Sequence, residues 1–465
     1  MRGNRGLYLW VLGLCSCTAG LENTAHIERD VRTRIEHRTG AEVGDGTADW
    51  QKRAEAECRP WLREPLTEER AVRVALIRNA SVHASFARLG IARADLVQAG
   101  LIANPILDLN AKFFRFGSEV EVGLAQPFLD LLLRPRRRAQ ADADLRASEA
   151  RIVEEMVALV YSVRRAFAKQ RAAQSAFEVA SHLVRAAQSS REVMDSLAAA
   201  GNVIKPQQTE QEIVQSRAQL SMARAEAQQI EAREDLTHLL GLFGEDAAWT
   251  LAPASGERRF EPGDLSQAEA RAVAASLLLE QRYAQIDAVA QRSGMGATEA
   301  IFGGRSIGLA AKREVEAGWG FGPAGSLALP IFDSGDVRDE AAEAALRVEL
   351  AELTQDAVEV RSTARRLRER WISRSRELRY RNAVLQPLHT QLVRDVLTHY
   401  NAMQVGPFDV FSARIRELRA QAELLDAAYE ADLARLDLEE LFAGHAPREM
   451  QEEWRPSMFL AMSGE

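Results

Sequence analysis

The chain has 465 residues, room for two or three ordinary domains, and a net charge of −8. That acidic balance leaves no electrostatic footprint for nucleic acid, so the local run Arg134, Arg136, Arg137 and Arg138 reads as a solvated, partly membrane-facing helix start. Fourteen prolines and 29 glycines, gathered at a few points, permit long helices.

The first residues have a secretory pattern. Arg2 and Arg5 precede an apolar run, Leu7 to Leu14, too short to span a bilayer as a mature helix. Leu14-Cys15-Ser16-Cys17 resembles a bacterial lipobox, which would make Cys17 a lipidated mature N-terminus, with Thr18 after it suiting sorting to the outer membrane. Segment 1–17 is read as the signal. Cys58 then remains as a lone thiol, which supports neither a disulfide framework nor a zinc site.

Segment 18–65 mixes charges without clear period and reads as a linker closed by Pro60 and Pro65. From Thr67 the spacing of Val72, Leu76, Val82, Phe86, Leu89 and Leu96 predicts one helix, stopped by Gly100 and Asn104-Pro105. Between 105 and 127 the period changes to two. Leu107, Leu109, Ala111 and Phe113 alternate with polar residues, and Val120, Val122 and Leu124 do so after a turn, which predicts a β-hairpin. A long helix over 134–200 follows, turns at Gly201, and returns over 207–240. A Pro- and Gly-marked linker occupies 244–263.

The order then repeats. Ser266 with Glu269 has capping-box spacing and opens a helix to about Arg292, and a second hairpin spans about 305–330. A long helix over 336–400 carries a heptad seam that pauses at Arg374 and Arg381, and Pro387 should kink it. Gly406-Pro407 makes the turn, a return helix covers 408–442, and 445–465 reads as a loose tail. Pro127 and Pro330 are displaced by about 203, Gly201 and Gly406 by about 205, so 66–243 and 264–444 read as tandem copies of one unit.

Catalytic spacing is missing. No histidine pair at metal-ligand spacing, phosphate loop or nucleophile elbow stands in the sequence, and His389 and His399 read as helix-surface residues. A channel is better supported. Four amphipathic strands of about ten residues have bilayer-crossing length, yet they leave two open edges, which lipid forbids. Three copies sharing one barrel of twelve strands would close them. Phe113, Phe114, Phe116, Trp319 and Phe321 would then form an interfacial girdle or simply fill lipid-facing positions. The alternative is a periplasmic coiled-coil scaffold or adaptor without a channel, for which two matched hairpins have no purpose.

Several segments resemble the TolC-type outer-membrane efflux family over nearly all of 66–444. These are Leu66-Thr67 with Ala71-Val72 and Ala75-Leu76, the strand exits Gln126-Pro127-Phe128 and Leu329-Pro330-Ile331-Phe332-Asp333, and Tyr400-Asn401-Ala402-Met403-Gln404-Val405-Gly406. The resemblance implies a mainly α fold with a small β part: long helical hairpins forming a trimeric periplasmic α-barrel, and four strands per chain contributing to a shared twelve-stranded transmembrane β-barrel. It also implies a homotrimer in the outer membrane of a Gram-negative bacterium, without enzymatic activity or cofactor. The partners implied are a periplasmic adaptor and an inner-membrane transporter. Asp409-Val410-Phe411-Ser412-Ala413 resembles the family segment Asp-Val-Leu-Asp-Ala, whose acids ring the periplasmic constriction; Asp409 matches the first acid and Ser412 replaces the second. Gly201 and Gly406 would mark the tips. On the residues alone, Pro407 and Asp409 also suit the first turn of any helix.

Overall fold

The structure, a computed structural model, describes residues 25–43, 50–114, 117–253, 265–292, 306–314, 318–325 and 331–447. Cys17 and the tail beyond 447 lie outside the described residues. The helices are α1 (Ala25–Thr39), α2 (Trp50–Arg63), α3 (Glu68–Arg78), α4 (Ala80–Gly100), α5 (Phe128–Ala199), α6 (Lys205–Leu239), α7 (Ala268–Ala275), α8 (Leu277–Arg292), α9 (Asp336–Tyr380), α10 (Gln386–Asn401) and α11 (Pro407–Ala443). The strands are β1 (Ile106–Phe114), β2 (Gly117–Pro127), β3 (Ser306–Glu314) and β4 (Gly318–Gly325). At about 1.5 Å per residue, the 72 residues of α5 extend roughly 108 Å.

The order of long elements agrees with the sequence reading, and four boundaries differ. The expected linker 18–65 contains α1 and α2. Ile27, Val31 and Ile35, spaced by four, are buried along α1, and the dense charges between them hide that stripe. The helix expected from Thr67 to Gly100 is cut at Asn79, and the helix expected to run to Arg292 is cut at Ser276; both residues are extended, with ψ of 121° and 116°. At the first cut, Asn79 Oδ1 accepts the Ser81 amide at 2.9 Å and its Nδ2 donates to Leu239 O at 2.9 Å, so a side chain replaces the lost helical bonds. α5 starts at Phe128, directly after β2, not at Arg134. The second long helix is interrupted by a π turn, Arg381–Leu385, where the Gln386 amide reaches back to Arg381 O. Pro387, just beyond, has no amide and crowds the preceding turn, and the widened turn accommodates it.

The described residues fall into two compact units, each drawing segments from both halves of the chain. The first comes from Met1–Arg34, Ala84–Glu154 and Leu277–Val358 and holds the sheet. Its helices are tied by arginines: Arg282 reaches Asp356 at 2.8 Å, Glu349 at 3.1 Å and Glu352 at 2.5 Å, while Arg34 reaches Glu280 at 2.6 Å. Burial raises the Glu149 carboxyl above its usual range, against the lowering effect of Arg34.

The second unit comes from Ile35–His83, Glu155–Ser276 and Glu359–Glu465. Its core is built in small patches of alanine and leucine. Ala272, Val360, Ala364, Leu367, Leu438 and Leu441 form one; Leu183, Ala187, Ala218 and Leu418 form another. Small residues let helices approach closely, and the buried part of the heptad seam is Val360, Ala364 and Leu367. Glu440 is 0% exposed and binds the Arg165 guanidinium, which also meets Asp437 at 3.4 Å. Leu66 forms a parallel bridge to Leu251, closed by Leu66 N–H to Thr250 O at 2.7 Å and Ala252 N–H to Leu66 O at 3.0 Å. Burial pushes the Cys58 thiol up to about 12, which makes it inert.

Candidate functional site

The four strands form one antiparallel meander in the order β1-β2-β3-β4. Directly paired residues share a face, so the register sorts the side chains. One face carries the rows Leu107, Leu124, Leu309, Pro323 and Leu109, Val122, Ala311, Phe321. The other carries Asp108, Gly123, Ala310, Gly322 and Asn110, Glu121, Lys312, Gly320. The first face is apolar yet open: Leu109 and Leu309 are 70% exposed, Phe113 83% and Phe321 82%. Sequence alternation predicted this two-faced sheet.

Of the aromatic candidates, Phe113, Trp319 and Phe321 lie on the apolar face, with the Trp319 and Phe321 rings stacked at 6.3 Å; Phe116 lies outside the described residues. The backbone edges of β1 and β4 have no strand beside them among the described residues. No described helix is long and apolar enough to cross a membrane. Among the described residues, no group of His, Cys, Asp or Glu is arranged to hold a metal.

The second feature is the pair of turns where the long helices reverse. At the first, Gly201 has φ of +75°, its N–H bonds Ala198 O at 3.0 Å, and Asn202 N–H bonds Leu197 O at 2.9 Å. These are the two bonds of a Schellman cap, which needs a left-handed residue. The second turn makes the same two bonds, Met403 N–H to Tyr400 O at 2.9 Å and Gln404 N–H to His399 O at 2.9 Å. Its left-handed residue is Met403, φ +58°, not Gly406. His399 Nδ1 also contacts Gln404 Oε1 at 2.5 Å, which braces the turn.

Gly406 is extended, with φ of −84°, and is the N-cap of α11. Asp409 Oδ2 accepts the Gly406 amide at 2.9 Å, just as Gln207 Oε1 accepts the Ile204 amide at 3.1 Å at the start of α6. Asp409 therefore performs the first-turn role that its position suggested. It remains exposed, as does Ser412 one turn later on the same side of α11, and the Ser412 carbonyl accepts from Arg416 Nε at 3.4 Å. Gly201, Met403 and Gly406 thus build the two turns, Asp409 caps the second, and Ser412 lies inside α11. Met403 escapes sequence reading because methionine does not signal a left-handed residue, and Gln207 because Ile204, three residues before it, is not a capping type. The offset of about 202 that maps Gly201 onto Met403 and Gln207 onto Asp409 does reveal them.

Farther along α11, the Asp426 carboxyl is pushed up to about 7 by burial and by Glu430 and Glu423, with Arg381 opposing. Arg381, in the π turn, is the residue at which the heptad seam pauses, and it meets Glu423 at 2.7 Å and Glu377 at 3.1 Å. Arg374, the other pause, reaches Glu377 at 3.2 Å and Glu430 at 3.6 Å.

No protein-family model matches the sequence, and no curated protein matches it. Solved structures do. The CmeC outer membrane channel of Campylobacter jejuni aligns with a TM-score of 0.67 and 12% identity, over 90% of this chain and 92% of that one. The outer membrane protein VceC of Vibrio cholerae gives 0.63 and 16%, over 86% and 100%. The open state of the MtrE outer membrane channel of Neisseria gonorrhoeae gives 0.58 and 18%, over 83% and 90%. The chain has the fold of the TolC-type outer-membrane channels.

Proposed function

We propose that the protein is a passive outer-membrane duct for efflux or type I secretion. It would receive substrate from an inner-membrane transporter through a periplasmic adaptor and lack chemistry of its own. The observation that carries the reading is the open four-stranded sheet with one apolar face, whose two free edges cannot face lipid unpaired. Three copies joined β4 to β1 give twelve strands and no edge. The polar face, with Asp108, Asn110, Glu121 and Lys312, then lines a water-filled lumen. The tandem units 66–243 and 264–444 supply two long helical hairpins per copy, six in the trimer, as the periplasmic wall. Leu350 and Leu388 of the heptad seam, exposed in a single chain, find neighbours there.

The turns around Gly201 and Gly406 form the periplasmic end in this reading, and threefold symmetry makes a ring of Asp409, with Ser412 beside it, at the constriction. Such a ring favours cations. Cys17 would anchor the chain to the inner leaflet of the outer membrane.

Planar-bilayer recording of the purified full chain tests this. Single-channel steps are expected, with Asp409→Asn lowering cation selectivity. A protein that extracts as a soluble periplasmic species and gives no conductance would instead be a coiled-coil scaffold. Steps with unchanged selectivity would keep the duct and remove Asp409 from the constriction.

A further inference from the structure

The apolar face of the sheet carries one charge. Beyond the rows of Leu107 and Leu109, the next row of that face reads Ala111, Val120, Arg313 and Trp319. Of the described residues in the paired rows of this face, only Arg313 is charged. It is exposed and makes no hydrogen bond or ion pair through its side chain with another described residue. Lys312, beside it in sequence, belongs to the polar face and meets Glu119 at 3.1 Å.

Register fixes how far along the strands the charge lies. β2 runs directly into α5 at Pro127, and Arg313 pairs with Val120, seven residues before that proline; Phe113 pairs with Ser118, nine before it. At about 3.4 Å per residue and a tilt of about 40°, Arg313 stands roughly 18 Å above Pro127 and Phe113 roughly 23 Å. The apolar band of a transmembrane barrel is about 25 Å tall, so Phe113 is at its far edge and Arg313 one row inside. A cation costs most at the middle of the bilayer and little near its boundary. The methylenes of Arg313 can stay in the apolar layer while its guanidinium reaches that boundary.

Trp319 is the cross-strand partner of Arg313, and its ring stacks on Phe321 at 6.3 Å. Guanidinium and indole N–H are both donors, and the apolar side chains of this face offer neither an acceptor. A guanidinium presents paired donors that fit phosphate oxygens, and tryptophan suits a boundary that is apolar on one side and wet on the other.

We propose that Arg313 with Trp319 binds the phosphate of an anionic membrane lipid, whose acyl chains lie along Ala311, Phe321 and Leu309. This rests on the duct reading, in which that face meets lipid, and adds the class of lipid held there. With α5 leading into the periplasm, the site is at the far end of the strands and takes its lipid from the outer leaflet.

Native mass spectrometry of the full chain in dodecyl maltoside tests this, with dioctanoyl phosphatidic acid as the probe. Dioctanoylglycerol, which lacks the phosphate, and inorganic phosphate, which lacks the chains, are titrated beside it. Wild type should bind phosphatidic acid roughly tenfold more tightly than R313Q, the loss expected for a charge-assisted contact. R313Q should bind it no better than dioctanoylglycerol. K112Q removes an exposed charge of the polar face near the same strand ends and should leave the affinity unchanged. Equal affinity of wild type and R313Q, an equal loss in K112Q, or displacement of the lipid by equimolar inorganic phosphate would overturn the proposal. A wild type that binds neither lipid would overturn the lipid-facing reading of the sheet beneath it.

Discussion

Segments 66–243 and 264–444 reach the same geometry at their turns with different residues. Both long helices end in a Schellman cap, one on Gly201 and the other on Met403, and both return helices begin with a side chain at the third position, Gln207 or Asp409, holding the N-cap amide. The shafts differ more. α5 runs unbroken for 72 residues, whereas its partner is interrupted by the π turn before Pro387. The hairpins differ as well: the polar face of the first presents Asp108, Asn110, Glu119 and Glu121, that of the second mostly Gly308, Ala310, Gly320 and Gly322. The backbone bonds at the two turns match, while the side chains between them differ.

The sharpest break in this equivalence is at Gly308, opposite Ala125 where the two hairpins join. A methyl there would sit 2.0 Å from Leu124 O and 2.7 Å from Ala125 Cα, and backbone cannot yield as a flexible side chain would. Asp108, two residues into β1 as Gly308 is into β3, carries a full side chain. Gly308→Val should cost about 3 kcal/mol or more and abolish oligomers that survive mild heating in gels. Gly322→Ala, with nothing within 4 Å of the added methyl, should leave them intact. Equal effects of the two would mean that the close approach of β2 and β3 does not matter.

Much of this fold was legible because it rests on period and punctuation. The switch from helical spacing to alternation at Leu107 located the first hairpin, and Pro127 located its end. What escaped was local and polar. Asn79 and Ser276 cut helices without a glycine or proline, and α1 hides three apolar residues among charges. At the candidate site, Gly201 announced its turn through composition. Met403 did not, because a left-handed methionine is recognised by its bonds.

Asp426 on α11 stands opposite Arg224 on α6 at the offset of about 202 in the sequence. Arg224 is exposed; Asp426 is half-buried near Glu423, Glu430 and Arg381, with a carboxyl that titrates at about 7 against an ordinary 3.8. A folded-state pKa raised in this way gives stability that is complete below about pH 4 and lost as pH rises through 7. Asp426→Asn mimics the protonated form. It should stabilise the protein at pH 8 by on the order of 2 kcal/mol in denaturant unfolding, an advantage that disappears by pH 4. A difference independent of pH would place the cause in packing.

The smallest expected effect bears most directly on the equivalence of the turns. Met403 is 95% exposed, so its side chain contributes little packing, while its φ of +58° carries the left-handed penalty of about 1 kcal/mol that Gly201 avoids. Met403→Gly should therefore raise stability by up to about 1 kcal/mol, less the entropy a glycine returns to the unfolded chain, and Gly201→Ala should lower it by about as much. Circular dichroism melts of the two variants give opposite signs if the caps are the same device. A destabilised Met403→Gly would mean that the methionine makes a contact in the assembled protein that a single chain lacks, and the second turn, beside Asp409, would then be the one built for a partner.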